Sequence, residues 1–300
     1  MRFYYPDTPA MTLPPGHRFP SGKYSLLRDK IERDRTLGSA ALLPSPPIEQ
    51  ADLLRAHDAH YVNHVLNGTL PAELQRRIGL PLSPTLVARS LATSGGALAA
   101  ARAALDNGLS GQLAGGTHHA HRTFGSGYCV FNDLSVTALA LLAEGRVQRI
   151  AIIDLDVHQG DGNAAILAGN ASVFVLSLHG EKNFPFRKMA STLDIGLADG
   201  TEDGAYLRAL GAALEHVAAF RPDLVLYLSG ADPLRSDTLG RLSLTFAGME
   251  ARDRMVLQFC RQRLIPVSIA IGGGYADPIT DSVEAYATTF RVARESFSGV

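Results

Sequence analysis

The feature that most constrains the fold is a set of short, mainly apolar runs separated by long helical patterns. Residues 150–153, 224–228 and 265–271 have the continuous Val, Ile and Leu content of strands that are covered on both faces. Such strands alternating with helices form parallel sheets, so we expect one α/β domain with three layers, α/β/α. Two further strands are predicted over residues 2–5 and 172–178. The predicted helices span residues 24–35, 57–66, 83–106, 132–143, 163–167, 201–220, 245–263 and 281–297.

Local signals predict where several of these helices begin and how they pack. Ser83 before Pro84, Thr201 and Thr245 are predicted to cap helices. A pair of glycines, Gly95-Gly96, lies inside the longest helix, where glycine lowers stability. The pair therefore indicates close packing against another element. The Pro-rich segments over 6–50 and 66–83, outside the helix at 24–35, are predicted to be loops that build a rim.

Composition and charge exclude several classes of protein. Apolar residues make up 46% of the 300 residues, and the net charge of −1 offers no basic surface for nucleic acid. Two cysteines, Cys129 and Cys260, favour a reducing compartment over a disulfide framework. We expect no secretory signal, because no apolar run follows a basic start, and no membrane span, because the apolar stretches are too short. We expect a cytoplasmic globular protein, and its oligomeric state stays open.

The stretch from residue 149 to 162 carries the strongest chemical signal. Asp154, Asp156 and His158 follow an apolar strand at alternate positions, which places the three side chains on one side of an extended chain. An Asp-x-His pair at a strand end can supply oxygen and nitrogen ligands to a metal. The glycines at 160 and 162 allow a turn that returns Asp161 to the same place. For an isolated Asp-x-His, a buried strand followed by a solvated acidic turn remains the alternative.

A glycine-rich loop over residues 115–131 is the second informative stretch. It carries His118 and His119 side by side, then Tyr128 and Cys129. On a loop, unlike a helix or strand, two adjacent histidines can both point inward. The alternative is a surface loop with solvated histidines. His57, His60 and His64, spaced along one predicted helix, are interpreted as a mixed, partly exposed face and not as metal ligands.

These stretches converge because ligands of open α/β sheets bind beyond the carboxyl ends of the strands. Asp156, His158 and Asp232 would form an Asp₂His site, which holds a divalent cation and leaves a position open for water. A nearby histidine would move the proton of that water to a leaving amine, and Tyr275 would donate a hydrogen bond to the developing oxyanion. The pattern predicts metal-assisted amide hydrolysis.

The combined motifs resemble the zinc-dependent histone deacetylase superfamily. The resemblance extends from Gly16-His-Arg-Phe-Pro20 through His118-His119, the stretch 154–162 and Gly230-Ala-Asp232 to Gly272-Gly-Gly-Tyr275. It implies a histone deacetylase-like catalytic domain over residues 1–300, with a mainly parallel eight-stranded sheet of arginase-like fold. The stretch around Asp154 and Gly200-Thr-Glu-Asp203 is most similar to the class IV branch and its bacterial relatives.

The resemblance implies a role for each site residue. Asp156, His158 and Asp232 would hold one Zn²⁺, His119 would be the general base and acid, and Tyr275 would polarise the acyl carbonyl. His118 would be an electrostatic partner, with Asp154 orienting His118 and Asp161 orienting His119. The acyl-lysine channel is assigned to Tyr128, Phe184, Gly127 and Gly273. A structural K⁺ or Na⁺ is assigned to Asp154, Asp156, His158, Ser177 and Leu178.

The sequence departs from the family pattern at a few positions. Gln159 replaces a second histidine of many relatives, and Lys23 replaces an arginine of the product-exit path. No rim aspartate that would clamp a peptide backbone is identified. His121 is interpreted as a loop histidine, His179 as a packing residue and Cys129 as buried filler.

The predicted function is hydrolysis of the amide bond of N-acyl-lysine, in which the acyl group is acetyl or longer. Deacylation of an acylated polyamine or another small amide is the alternative. A deacetylase fold that binds an acylated ligand without hydrolysing it is disfavoured, because every expected ligand and the tyrosine are present.

Overall fold

A single eight-stranded sheet forms the middle of the molecule in the computed structural model, which describes residues 1–9 and 11–297. The strand order is β2-β1-β3-β8-β7-β4-β5-β6, and every neighbouring pair is parallel. The α/β fold predicted from the apolar runs is therefore confirmed. The strands are β1 (Arg2–Tyr5), β2 (Ala41–Pro44), β3 (Leu109–Gln112), β4 (Ile150–Asp154), β5 (Val173–Gly180), β6 (Leu193–Leu197), β7 (Leu224–Leu228) and β8 (Val267–Ala270).

Ten helices are present in the described part of the chain. They are α1 (Lys23–Arg33), α2 (Gln50–Ala56), α3 (Ala59–Leu66), α4 (Ala72–Ile78), α5 (Pro84–Asn107), α6 (Asp133–Ala143), α7 (Asp161–Ile166), α8 (Asp203–Phe220), α9 (Phe246–Gln262) and α10 (Ile279–Phe297). Among these residues, no helix has both the length and the hydropathy needed to cross a membrane.

The sheet has a hydrophobic core on each face, as a three-layer fold requires. Along β4, Ala151 and Ile153 pack into the core formed with α1, α8, α9 and α10. Ile150 and Ile152 point the other way, into the core formed with α2 to α6. Because successive side chains of a strand alternate between faces, an unbroken apolar run is what a strand covered on both sides needs.

The sequence missed the polar and edge strands. β2 is an edge strand that is mostly exposed, and β6 is an edge strand that alternates between half-buried and exposed residues. β3 reads Leu-Ser-Gly-Gln, without the apolar run used to find strands, although all four residues are buried. The segments 38–50 and 67–83, predicted as loops, contain β2, the first residue of α2 and the whole of α4. Only the resemblance to a known family predicted eight strands.

Two of the three predicted helix caps are confirmed and one is wrong. The Ser83 and Thr245 hydroxyls accept hydrogen bonds from backbone N–H groups in the first turns of α5 and α9, and Asn132 caps α6 in the same way. Thr201 does not cap α8, because the chain enters that helix at Glu202 with no side-chain cap. The Asp203 carboxylate instead accepts bonds from the Thr245 N–H and hydroxyl, which ties α8 to α9.

Gly95 and Gly96 in α5 allow the close packing that their position predicted. A methyl carbon on Gly95 would lie 2.6 Å from the backbone nitrogen of Ile48 and closer still to the Pro46 carbonyl oxygen. On Gly96 it would meet the Ser45 side chain. The segment that follows β2 therefore runs directly over the helix axis at this pair.

Replacing Gly95 by alanine is expected to destabilise the protein, although alanine is the better helix former. Overpacking against rigid backbone costs about 1–3 kcal/mol, which exceeds the gain of roughly 1 kcal/mol from helix propensity. Urea unfolding measures the difference. Gly211→Ala in α8 is the matched control, because its methyl group would lie 3.5 Å from the flexible end of Met255 in α9. Equal stabilisation of both variants would contradict the packing argument.

Candidate metal centre and active site

The site lies where the central strands end. β4, β7 and β8 are parallel neighbours, so their carboxyl ends meet at one edge of the sheet. Asp154 ends β4, the chain that leaves β4 carries Asp156 and His158, and the chain that leaves β7 carries Asp232. The Gly272–Gly274 segment leaves β8 at the same edge and leads to Tyr275. The convergence expected from the sheet topology is therefore present in the structure.

Asp156, His158 and Asp232 are close enough to touch one common atom. One ligand atom from each lies within 4.8 Å of the others. The Nδ1 atom of His158 is 3.0 Å from Asp156 Oδ1 and 3.1 Å from Asp232 Oδ2. Two carboxylates and one imidazole at this spacing are a donor set for a divalent cation, with room for a further ligand.

The surroundings of these ligands also fit a metal. Backbone N–H groups hold the outer oxygens, with Val157 donating to Asp232 at 2.8 Å and Gly273 donating to Asp156 at 2.6 Å. Burial, together with the charge of Asp156, raises the pKa of the Asp232 carboxyl. Two buried carboxylates this close are unfavourable without a cation between them. A methyl group on Gly273 would meet both carboxylates, so only glycine leaves the ligand positions clear.

Two histidine–aspartate pairs lie beside the triad. His118 Nδ1 is 2.7 Å from Asp154 Oδ2, and His119 Nδ1 is 2.7 Å from Asp161 Oδ1. The imidazole rings of His118 and His119 are in contact at a centroid distance of 4.1 Å, with their planes tilted by 51°, and both are buried. These two histidines are therefore not solvated surface residues. In each ring Nδ1 is bonded to a carboxylate, whereas Nε2 has no carboxylate within hydrogen-bond distance.

The surroundings separate the pKa values of these two histidines. Burial lowers the pKa of His119 to about 4, because the positive charge of His118 adds to the desolvation and outweighs the bond to Asp161. Burial opposes the charged form of His118 as well, but Asp154 and Asp156 outweigh it and raise the His118 pKa to about 9. His119 is thus neutral at pH 7 and able to accept a proton, while His118 supplies positive charge.

Hydrogen bonds to its backbone fix the position of Tyr275. Its N–H donates to Asp237 Oδ2 at 2.6 Å, and its carbonyl accepts from the Thr238 hydroxyl at 2.8 Å. Its ring centroid lies 6.4 Å from that of His158. Burial and the Asp156 and Asp232 charges raise the pKa of the phenol, so the hydroxyl stays protonated and can donate a hydrogen bond.

The glycines before Tyr275 have a steric role. Methyl groups on Gly272 and Gly274 would collide with Leu228 and Tyr286. Buried Lys23 donates to the carbonyl oxygens of Gly272 and Gly274, both at 3.3 Å. The glycines therefore make room for this packing, and Lys23 holds the segment in place.

Aromatic rings wall the approach to the site. Phe184 packs edge-on against His119 at a centroid distance of 4.9 Å, and Tyr128 lies 6.2 Å from Tyr275. Gly127 has a φ of +54°, and a methyl group there would lie 2.6 Å from the His119 ring. The assigned channel residues Tyr128, Phe184 and Gly127 therefore surround the site, with Gly273 at its base. Cys129 is buried, and burial raises its thiol pKa, which fits a packing residue and not a nucleophile.

Comparison with known proteins identifies the family. The histone deacetylase domain pattern matches residues 17–290. Histone deacetylase 2 of Arabidopsis thaliana is 30% identical over 89% of this chain and 73% of its own length. The acetoin utilization protein AcuC of Bacillus subtilis is 30% identical over 87% and 73%. An uncharacterized protein of Picosynechococcus is 41% identical over 98% of each chain.

This chain belongs to the histone deacetylase family. The superfamily resemblance is confirmed, and the chain is a hydrolase that deacetylates amides. The similarity to the class IV branch stays a prediction.

Two histidines outside the predicted set belong to the structure of this deacetylase site. His57 does not share a helical face with His60 and His64, because α3 begins at Ala59 and His57 is buried before it. Its Nε2 accepts from the Asn132 N–H at 2.9 Å, which leaves Nδ1 as the donor to the His121 carbonyl at 3.0 Å. His57 therefore joins the histidine loop to the cap of α6.

His121 is more than a loop histidine. Its Nε2 lies 3.0 Å from Asp161 Oδ2, so Asp161 bridges His119 and His121 through its two oxygens. The His121 ring stacks on Phe124 at 4.4 Å, which fixes its orientation. The only sequence signal for this contact was the His-x-His spacing, which does not specify a shared carboxylate. His179 bonds to Ser177 inside β5, as a packing residue would.

Two residues with no chemical motif around them hold the site loops. Arg252 in α9 is fully buried and donates to the Gly230 carbonyl at 2.6 Å, next to the Asp232 loop. It pairs with Asp253, which also accepts from Thr289 at 2.6 Å. Asp237 holds Tyr275, as described above. Helical spacing identifies Arg252 as a helix residue but does not indicate that its charge is buried.

Stability is expected to fall in acid because His57 must be neutral. Burial lowers its pKa from 6.5 to about 4, so between these values only the unfolded chain binds the proton. The stabilisation is complete above pH 6.5 and is lost as the pH falls towards 4, by about 3 kcal/mol. In urea unfolding, His57→Gln should reduce the difference in stability between pH 7 and 4.5. Exposed His60→Gln should leave it unchanged. Equal pH dependence in His57→Gln and wild type would contradict this assignment.

Proposed function

We propose that the chain is a zinc-dependent N-acyl-lysine deacylase that releases acetate or a longer carboxylate and a free lysine. The observation that carries the proposal is the approach of Asp156, His158 and Asp232 within 4.8 Å of one another, beside His119 and Tyr275. These five residues line one cavity or contact its lining, as amide hydrolysis requires of a metal site, a base and an oxyanion donor.

Asp156, His158 and Asp232 would hold the zinc ion, which when bound supplies a Lewis acid and lowers the pKa of a water molecule. Asp154, Asp156, His158, Ser177 and Leu178 are proposed to hold a K⁺ or Na⁺. In support of this second site, Asp154 and Ser177 are paired directly across β4 and β5.

Proton transfer is assigned to His119. Its Nδ1–H is held by Asp161, so the neutral ring presents Nε2 as a base. Nε2 accepts the proton of the attacking water as the new C–O bond forms, and it then donates that proton to the nitrogen when the C–N bond breaks. His118, held by Asp154, contributes positive charge near the developing oxyanion. The Tyr275 hydroxyl donates to that oxygen.

The acyl group is proposed to enter an inner cavity. Beyond the catalytic side chains, the cavity is lined by apolar Met11, Phe19, Leu80, Leu86 and Val130, and also by polar Lys23, Tyr24, Arg89, Ser90, Thr93 and Thr117. Leu80, Leu86 and Val130 are buried, so an acyl chain there would leave water and contact packed aliphatic groups. Tyr128 and Phe184, with Gly127 and Gly273, would enclose the lysine stem.

Site variants are expected to separate metal binding from catalysis. His119→Ala should lower kcat by roughly 10²–10⁴-fold, and Tyr275→Phe by about 10²–10³-fold. Both should keep one zinc per chain after dialysis, because neither residue is assigned as a ligand. Asp232→Asn should lose zinc as well as activity. Asp161→Asn is the matched acid control and should keep zinc. Near-wild-type turnover of His119→Ala would show that the proton carrier is another residue.

The inner cavity predicts that acyl groups longer than acetyl are also hydrolysed. Lysine peptides with acetyl, butyryl, octanoyl and myristoyl groups should be hydrolysed with a kcat/KM that rises with chain length until the cavity is filled. Chelator should abolish turnover of every peptide, and added Zn²⁺ should restore it. A Leu86→Phe variant, which narrows the cavity, should shift the optimum towards acetyl. A length profile that is identical in wild type and Leu86→Phe would assign the acyl chain to another place.

A further inference from the structure

The active site opens into a wide groove whose outer wall is basic. The groove reaches His119, His158 and Tyr275 at its inner end. Five cationic side chains line it: Arg18, Arg77, Lys182, Arg187 and Arg241. Within residues 1–9 and 11–297, the one acidic side chain in the lining is Asp161, which is bonded to His119 and His121.

Local carboxylates do not neutralise this charge. Asp199 lies 3.1 Å from Arg241 and 4.0 Å from Lys182, so a single carboxylate is shared by two cationic side chains. Arg18 and Arg187 are exposed and form no ion pair with any residue that the structure describes. The whole chain has a net charge of −1, so the cations are concentrated here and do not reflect a basic protein.

An apolar contact lies beside the charges. The Phe186 side chain is 86% exposed, and its ring centroid is 6.3 Å from that of Phe184, which forms the channel wall. A large exposed aromatic group at the mouth of a site can pack against a bound ligand. The groove lining therefore combines an exposed aromatic ring with five cationic side chains.

We infer that the groove selects acyl-lysine in an acidic peptide segment, with Asp or Glu side chains on either side of the modified lysine. This inference rests on the proposed function and names its substrate class. Arginine guanidinium groups bind carboxylates through two parallel hydrogen bonds. Complementary charge also raises the association rate of a protein and its ligand. An acylated polyamine keeps positive amines near the acyl group, and the same cations repel it.

Three acetyl-lysine peptides of one length test this selection, with Glu, Gln or Lys at the two positions on each side. The Glu peptide should exceed the Lys peptide in kcat/KM by roughly 10- to 100-fold at low salt. The ratio should shrink towards one in about 1 M salt, where the screening length falls to roughly 3 Å. Equal kcat/KM for the three peptides, preference for the Lys peptide, or faster turnover of an acetylated polyamine would overturn the inference.

Charge-reversal variants locate the effect. Arg187→Glu and Arg18→Glu should lower the ratio of Glu-peptide to Gln-peptide kcat/KM several-fold. Arg221→Glu is the matched control: Arg221 is exposed but lies before β7, at the opposite edge of the sheet, and its ratio should equal that of wild type. Unchanged ratios in both groove variants would overturn the inference. Wild-type turnover of the neutral Gln peptide tests the proposed function separately, because it needs no charge in the substrate.

Discussion

The structure depends on two buried carboxylates and one imidazole being brought together at the edge of a parallel sheet. None of these groups would be stable there alone, because a buried charge without a partner costs several kcal/mol. The cost is offset by a fixed set of donors, which includes the Val157 and Gly273 N–H groups. The parallel register of β4 and β7 places Asp154 beside Leu228, so the chains that carry Asp156 and Asp232 leave the sheet together.

The residues around the triad are also held in place by buried polar contacts. His118 and His119 are each oriented by a carboxylate, and Asp161 is itself shared with His121. The loops that carry these groups are held by residues from distant helices. Lys23 of α1 binds the glycine segment before Tyr275, and Arg252 of α9 binds the Gly230 carbonyl. Catalytic geometry in this deacetylase therefore depends on buried polar contacts made across the whole fold.

Much of this arrangement could be predicted from sequence because its parts have local signatures. Buried parallel strands are continuous apolar runs, and ligands after a strand follow its alternation, as Asp154, Asp156 and His158 do. Edge strands and short polar strands lack that signature, so β2, β3 and β6 did not stand out. The contacts of His57, His121 and Arg252 were also missed. They join residues between 22 and 97 positions apart, and nothing in the local sequence specifies such a partner.

The basic groove, which is proposed to determine substrate specificity, could not be predicted from the sequence either. Its cations come from separate segments, and an overall charge of −1 gives no sign that they gather around the active-site mouth. The net charge is a property of the whole chain, whereas recognition of a substrate depends on the charges around the active site. Histone deacetylase family membership likewise establishes deacetylation but not which acylated amine is used.

The most direct test of the account is a metal titration of the chelator-treated protein with acetyl-lysine peptide as substrate. Deacetylation should rise in proportion to added Zn²⁺ and reach its plateau at one ion per chain, since Asp156, His158 and Asp232 form one candidate site among the described residues. Full activity in the metal-free protein, or a plateau only at two or more ions, would contradict it.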